Sequence, residues 1–325
     1  NADSYSIHLG DLSLYSALTL WCGPLTVTVG LRLGAHILEV SCLTPRVGVI
    51  LPIGGRRFAR VAEPRLLVSV QPTAPLTLSA AAGLYHQPPA AEDLSAVFGN
   101  PQLGLARAVH VTAGATVQVG SALQLELCGF YRHLDSLAAR SPLPTPPLSA
   151  VLTADGSGQS YGGQLLVRLR RWRSLSGWVA YTLSRSERTD TPGGAPYLFD
   201  LDQTHILTAV GSYELRGFGF GLRLRYSSGF PRTPVRDAFY DARDDVYQPV
   251  FGALNSIRLP DFVQLDLRVD RTFALRRLAV VIYLEVQNLT YQKNAEEIVY
   301  RFDYASHDYI TGLPILAILG ARLSL

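Results

Sequence analysis

Apolar and polar residues alternate with period two over long windows of the chain, a pattern typical of β-strands. Along residues 263–269 the odd positions are Val or Leu, and the even positions are Gln, Asp and Arg. The same alternation recurs at 12–20, 25–33, 66–70, 76–84, 109–119, 123–132, 164–170, 205–213, 218–226, 278–286 and 313–325. We count about 13 strands, and many approach the ~9–11 residues that a tilted strand needs to cross a bilayer.

The placement of charge separates a membrane barrel from a soluble sandwich, whose strands would alternate as well. An arginine that faces mid-bilayer lipid costs roughly 2–4 kcal/mol, so a transmembrane barrel must keep its arginines on the other face. The arginines of the predicted strands all fall on the polar face. We therefore expect the charged residues of this face to line the lumen: Arg32, Glu126, Arg168, Arg170, Arg223, Arg225, Asp266, Arg268, Asp270, Glu285 and Arg322.

Two roles are open for this polar face. Its charges would contact a plug or a permeating solute in a wet lumen, or they would brace the wall by pairing between neighbouring strands. Arg168 and Arg170 lie on one strand, and Arg223 and Arg225 lie on another that we expect three strands away. These four side chains cannot all pair with one another, and a plug would satisfy them.

Connections of two lengths alternate along the chain. Short links are predicted at 23–24, 71–75, 120–121, 172–174, 214–217 and 274–277. Long loops are predicted at 35–63, 85–104, 133–160, 184–203, 228–259 and 288–312. Short periplasmic turns and long extracellular loops are typical of outer-membrane barrels, so the last strand is expected to run toward the periplasm.

Closure of an antiparallel barrel requires an even number of strands. The first and last of our 13 run in the same direction, and residues 5–9, followed by a turn at Gly10 and Asp11, supply a candidate fourteenth. We predict one closed antiparallel transmembrane β-barrel domain over residues 1–325, with about 14 strands and no helical domain.

Composition agrees with a barrel and disfavours other classes. Hydrophobic residues make up 48% of the chain, yet no apolar run approaches the ~18 residues of a membrane-spanning helix. The net charge of +3, without basic blocks, indicates no nucleic-acid partner. Cys22, Cys42 and Cys128 lack metal-binding spacing, which favours isolated thiols, with a disulfide between two of them as the alternative.

Candidate catalytic and metal-binding chemistry is weak. His110, beside Thr112, is the one mid-strand histidine candidate, and no serine or carboxylate pairs with it in the sequence. Carboxylates and imidazoles are common in polar loops, so we expect solvated or structural roles rather than metal ligation for two groups: Asp200, Asp202 and His205, and Asp237, Asp241, Asp244 and Asp245. We expect no enzymatic activity, no metal and no cofactor.

Eight short segments over residues 66–325 resemble successive strand landmarks of TonB-dependent receptor barrels. They are 83–88 (GLYHQP), 98–103 (FGNPQL), 161–166 (YGGQLL), 180–187 (AYTLSRSE), 199–207 (FDLDQTHIL), 226–234 (YSSGFPRTP), 261–271 (DFVQLDLRVDR) and 284–290 (LEVQNLT). The resemblance implies a barrel in the lipid of a Gram-negative outer membrane, where a ligand docks from outside and a plug gates passage. The family's barrel has about 22 strands, preceded by a plug and a TonB-contacting box, and neither is recognisable here.

The C-terminal residues resemble the outer-membrane assembly signal. Gly320, Leu323 and Leu325 have its spacing, with Leu325 in place of the usual terminal phenylalanine. The resemblance implies the barrel-assembly machinery as a partner.

The function that follows is solute uptake or a pore, with the solute unidentified. The rival is a structural or scaffolding barrel of a larger envelope assembly that conducts nothing. Because no plug is seen, loops 35–63, 133–160 and 228–259 would fold inward, a partner subunit would plug the lumen, or the pore would be open. We favour a reduced closed barrel over a portion of a longer receptor, since an open edge in lipid leaves backbone groups unsatisfied.

Overall fold

The computed structural model describes residues 4–43, 54–147, 149–275 and 278–324. Strands make up most of these ranges, and within them the helical element is one 3-10 turn, Glu92–Leu94. In the part of the chain that is described, no helix has the length and hydropathy needed to cross a membrane.

The strands follow the alternating segments and mostly extend beyond them. Their bounds are β1 Ser4–Cys22, β2 Leu25–Leu43, β3 Gly55–Thr73, β4 Leu76–Gln87, β5 Ala106–Val119, β6 Leu123–Arg140, β7 Leu152–Trp172, β8 Leu175–Thr189, β9 Tyr197–Leu198, β10 His205–Leu215, β11 Phe218–Ser227, β12 Pro231–Arg232, β13 Val235–Asp241, β14 Val246–Phe251, β15 Ile257–Arg258, β16 Phe262–Leu275, β17 Leu278–Gln287, β18 Ala295–Tyr300, β19 His307–Thr311 and β20 Leu316–Ser324.

One sheet contains 14 of these strands, which confirms the predicted number. Its hydrogen-bonded order is β1-β2-β3-β4-β5-β6-β7-β8-β10-β11-β16-β17-β20, with the two-residue β9 paired to β8. The prediction of a separate strand at 5–9 was wrong, because those residues belong to β1 and pair with β2 in unbroken register from Ser4 to Cys22. β1 and β20 stand at the two ends of the order, and closure of the sheet stays a prediction.

Large apolar side chains are exposed along the strands, most regularly at alternate positions. On β11 these are Phe218, Phe220 and Leu222, whereas β1 exposes Leu14 on one face and Trp21 on the other, and Leu319 of β20 is 76% exposed. A water-soluble wall would bury such residues, whereas a wall surrounded by lipid presents them outward. The alternation read from the sequence therefore gives the sheet its lipid-facing surface.

Tight turns connect the strands at five of the predicted short links, 23–24, 71–75, 120–121, 172–174 and 214–217, and part of the sixth, 274–277, lies outside the described residues. Gly23, Gly120 and Gly217 have positive φ values of 59°, 61° and 84°, which glycine adopts without steric cost. These turns hold consecutive strands in antiparallel register, as in the β10–β11 pairing from Ile206 to Leu215.

The predicted long loops were too long in three places. β2 continues to Leu43 and β3 starts at Gly55, so most of 35–63 is strand. β6 and β7 leave 141–151 of the predicted 133–160, and β8 extends to Thr189. Loops 228–259 and 288–312 contain the antiparallel hairpins β13–β14 and β18–β19.

The chain divides into two compact units. Unit 1 consists of residues 1–114, 130–161 and 187–196, and unit 2 consists of 115–129, 162–186 and 197–325. β5, β6, β7 and β8 contribute residues to both units. A single domain over 1–325 stays a prediction.

Candidate functional site

The polar face of unit 1 is organised around a buried carboxylate, Glu63. Its side chain is 1% exposed and accepts hydrogen bonds from Arg32 at 3.4 Å and Arg65 at 3.2 Å. The backbone N–H of His86 donates to its other oxygen at 2.8 Å. Arg32 also contacts Asp11 at 3.2 Å, so this predicted residue joins carboxylates on both neighbouring strands.

Strand register explains this cluster, and sequence reasoning missed its centre. β2 pairs with β3 so that Arg32 stands opposite Glu63. The predicted loop 35–63 places Glu63 at its end, although an acidic residue with period-two spacing from Arg65 is a usable signal for a strand. A buried charge needs this many partners, because an isolated one would be strongly destabilising.

Residues 88–105, between β4 and β5, pack onto the same face of β2 and are called here the inner cap. Leu94 and Leu103 of the cap are buried against Leu38 and Val40 of β2. These β2 residues lie at even spacing from Arg32, so the cap covers the face that carries the polar cluster.

Hydrogen bonds fasten the inner cap in place. The Arg57 guanidinium donates to the carbonyl oxygens of Gln102 at 2.5 Å, Pro101 at 2.9 Å and Leu103. Backbone N–H groups of Ser149 and Val151 reach the cap from the 141–151 loop. Of the loops predicted to fold inward, 133–160 thus contributes hydrogen bonds to the inner cap. The segment that itself covers this face of β2 is 88–105.

Burial also perturbs a carboxyl group within the inner cap. Desolvation raises the pKa of Asp93, and the adjacent negative charge of Glu92 adds to the effect. The cap therefore carries a carboxyl group that binds a proton more readily than an exposed aspartate does.

Unit 2 has a second buried carboxylate, Asp266, which was predicted to line the lumen. One oxygen accepts from Arg223, at 2.8 Å from Nε and 2.7 Å from Nη2. The other accepts from Gln264 at 2.7 Å and from the backbone N–H of Asn288 at 2.9 Å. Arg223 and Asp266 are cross-strand neighbours, which fixes this pair by the register of β11 and β16.

Arg268 forms the next layer of this polar face. It lies 3.4 Å from Glu285 and 3.6 Å from Asp270, and its guanidinium stacks 4.0 Å from the centre of the Tyr283 ring. The ring in turn covers Gly320 of β20, where a Cβ atom would collide with it. Three strands, β16, β17 and β20, are thereby tied together on one face.

The remaining predicted arginines divide into paired and unpaired ones. Arg225 donates to Gln264 at 2.7 Å, and Arg170 donates to Gln124 at 3.1 Å. Gln124 also contacts Glu126 at 2.5 Å. Two further arginines, Arg168 and Arg322, are exposed and have no hydrogen-bond or ion-pair partner within the described ranges.

The predicted candidates at and before the start of β10 are held by structural contacts. Asp202 accepts a charged hydrogen bond from Arg258 at 2.5 Å, and His205 contacts the Tyr181 hydroxyl at 2.8 Å. Asp200 accepts from Asn255 at 2.5 Å. Among the residues described, no three His, Cys, Asp or Glu side chains are arranged to hold a metal ion.

The histidine and the thiols occupy ordinary wall positions. The His110 ring lies 4.5 Å from the Tyr85 ring. Cys22 and Cys128 are free thiols, and the side chain of Cys42 lies outside the described part. Of the predicted assembly signal, Gly320 packs under Tyr283 and Leu323 is exposed on the apolar face, while Leu325 lies outside the described residues.

Comparisons with known proteins agree with this architecture. A family model described as "TonB dependent receptor-like, beta-barrel" matches residues 2–289. No curated protein matches the chain in sequence.

Solved structures with a similar fold are outer-membrane receptors and transporters. The ferric-catecholate import receptor Fiu of E. coli K12 superposes with a TM-score of 0.72 at 15% identity, over 98% of this chain and 45% of its own. The siderophore receptor PiuA of Acinetobacter baumannii has a TM-score of 0.71 at 15% identity, over 98% of this chain and 43% of its own. The FrpB iron transporter of Neisseria meningitidis has a TM-score of 0.65 at 17% identity, over 98% of this chain and 46% of its own.

The chain spans a little under half the length of these structural neighbours. These neighbours are receptors and transporters. The family match extends over most of the chain, and it confirms the resemblance noted in the strand motifs and the expected location. The chain is thus a Gram-negative outer-membrane β-barrel protein that belongs to the TonB-dependent receptor-like family.

Proposed function

We propose that the chain forms the wall of a solute-uptake path across the outer membrane. The observation that carries the proposal is the charged face of β11, β16 and β17, centred on Asp266 and Arg268. An ionised side chain within the membrane-spanning part of a strand costs several kcal/mol if it faces lipid, so these charges belong on a water-filled side. A wall with a water-filled side can border a path for a solute.

The two roles considered for the polar residues then fall to different side chains. Arg32, Arg223 and Arg268 brace the wall, because each is engaged by carboxylates on neighbouring strands. Arg168 and Arg322 are exposed without partners in the described part of the chain, and they are the residues proposed to contact a solute, a plug or a partner subunit.

The inner cap would narrow the path in unit 1. It lies on the face that carries Arg32 and Glu63 and is fastened by Arg57, so a solute would have to pass beside it. The second candidate function is a scaffolding barrel that passes nothing. The extensive pairing of wall charges favours this candidate, because paired charges can serve to brace the wall alone.

Conductance of the purified protein in a planar bilayer tests the proposal. We expect ion current whose anion preference falls when Arg168 is changed to Glu, because a positive charge at the path is reversed. Arg216→Glu, at a short turn, changes the same charge away from the path and is expected to leave selectivity unaltered. Absence of current from correctly inserted protein would contradict the proposal and favour the scaffold.

A further inference from the structure

We propose that two hairpins outside the wall form a docking platform for an extended, cationic peptide segment. The platform consists of the β13–β14 hairpin, residues 235–251, and the β18–β19 hairpin, residues 295–311. The proposal rests on the proposed function for its biological setting, and it names the chemical class of ligand that would be received on the extracellular side.

The two hairpins of the platform are joined by specific contacts. Arg232, just before β13, donates to both carboxylate oxygens of Glu297 at 2.8 and 2.9 Å. The Tyr300 hydroxyl accepts from the backbone N–H of Val235 at 3.1 Å. The rings of Tyr247 and Phe302 lie 5.9 Å apart. Two of these contacts join one hairpin to the other, and Arg232 ties the β18–β19 hairpin to the chain just before β13, so the hairpins present one surface.

Aromatic rings on this platform are unusually open to solvent. Phe302 is 82% exposed, and Phe239, Tyr240 and Phe251 are each more than half exposed. Tyr240, Tyr247 and Phe302 form a continuous run of ring contacts. Exposed aromatic faces of this kind attract guanidinium and ammonium groups through their quadrupoles.

The platform is acidic although the whole chain is basic. Residues 235–251 and 295–311 contain eight Asp and Glu side chains and three Arg, a formal charge of −5, against +3 for the complete chain. Glu297 is neutralised by Arg232, whereas Asp244 and Glu296 are exposed. A surface with this charge repels anionic solutes and lipopolysaccharide phosphates and favours a cationic ligand.

The platform also offers a free sheet edge. β19, His307–Thr311, pairs with β18 in a two-stranded sheet, so its second edge has no strand partner in the described part of the chain. All five of its residues are exposed. Such an edge can accept the backbone of an extended segment as an added strand. Together with the aromatic and acidic side chains, it suits a peptide better than a compact organic cation.

Fluorescence anisotropy with a labelled hexapeptide of alternating lysine and tryptophan tests the platform in the intact, detergent-solubilised protein. We expect saturable binding that weakens at high salt, with little binding of a matching glutamate–tryptophan hexapeptide. The double variant Asp244→Asn/Glu296→Gln removes two exposed charges and should raise Kd about tenfold.

A charge-matched control separates the platform from a general electrostatic effect. Glu39→Gln/Asp155→Asn removes two exposed charges outside both hairpins and should leave Kd within about twofold. Phe302→Ala should weaken binding as well, through loss of an aromatic face. Heat-modifiable migration in gels would verify that every variant is folded.

Equal loss of binding in the control variant, or unchanged binding in the platform variants, would overturn the proposal. Conductance of the same preparations distinguishes its failure from that of the uptake function. A conducting protein that ignores the peptide refutes the platform alone, whereas a protein that binds the peptide but carries no current refutes the path alone.

Discussion

Replacement of Asp266 tests the bracing role of the polar face at its most connected residue. The Asp266 carboxylate is 6% exposed, and its four hydrogen bonds come from Arg223, Gln264 and the Asn288 backbone. Asp266→Asn keeps the shape of the side chain but removes its charge and forces an amide N–H₂ to replace one of its acceptor oxygens.

The size of the effect follows from the exposure of the partners. Breaking a fully buried ion pair costs about 3–5 kcal/mol. The Arg223 side chain is 42% exposed, so water compensates part of its charge and the expected loss is smaller. We expect Asp266→Asn to reduce the free energy of unfolding by about 2 kcal/mol and Asp266→Ala by about 3 kcal/mol, because the alanine leaves the Asn288 N–H without its acceptor.

Urea titration of the protein refolded into lipid vesicles, followed by tryptophan fluorescence, measures these losses. Asp270→Asn is the matched control, since its carboxylate is 29% exposed and lies 3.6 Å from Arg268, and it should cost less than about 0.5 kcal/mol. Equal destabilisation by Asp266→Asn and Asp270→Asn would refute the reasoning that burial and partner number set the cost.

Three further predictions concern other parts of the wall and its loops. Gly320→Ala should destabilise the same vesicle preparation by about 1–3 kcal/mol because a tyrosine ring occupies the Cβ position, whereas Gly211→Ala, with open space around it, should be near neutral. Hydrogen bonds from Arg232 lower the pKa of Glu297, so the stability that this pair adds is present above pH 4.5 and is lost as the pH falls through the lowered pKa. A spin label on the β18–β19 turn should therefore gain mobility in acid. Glu297→Gln should remove that response. In a variant whose Cys42 and Cys128 are replaced by serine, Cys22, exposed beside a short turn, should react with an impermeant maleimide in opened cells and stay unlabelled in intact ones, and labelling of intact cells would contradict the orientation.

Strand alternation made most of the wall predictable. It located the short turns and the polar face because one face contacts lipid and the other does not. It failed at residues 35–63, where Leu38 and Val40 put apolar side chains on the polar face. The inner cap buries them there, and a contact with a distant loop leaves no periodic signal in the strand itself.

The pairing of the site residues depended on strand register, which the alternation alone does not reveal. Arg223 and Asp266 are 43 residues apart, and only the alignment of β11 with β16 brings them together. Glu63 was missed for the same reason, since its partners are on both adjacent strands. The β13–β14 and β18–β19 hairpins are not predicted by the alternation, because their strands are short and exposed and lack a buried face.

Spin labels placed one at a time along β17 test the central claim, that one face of the wall contacts lipid and the other lines a polar path. Residues Val280, Ile282 and Leu284 should show high accessibility to oxygen, which concentrates in the bilayer. Tyr283 and Glu285 should instead favour a water-soluble nickel complex. Accessibility that rises and falls with period two, in opposite phase for the two reagents, is the predicted result, and equal access of both reagents along the strand would contradict the account.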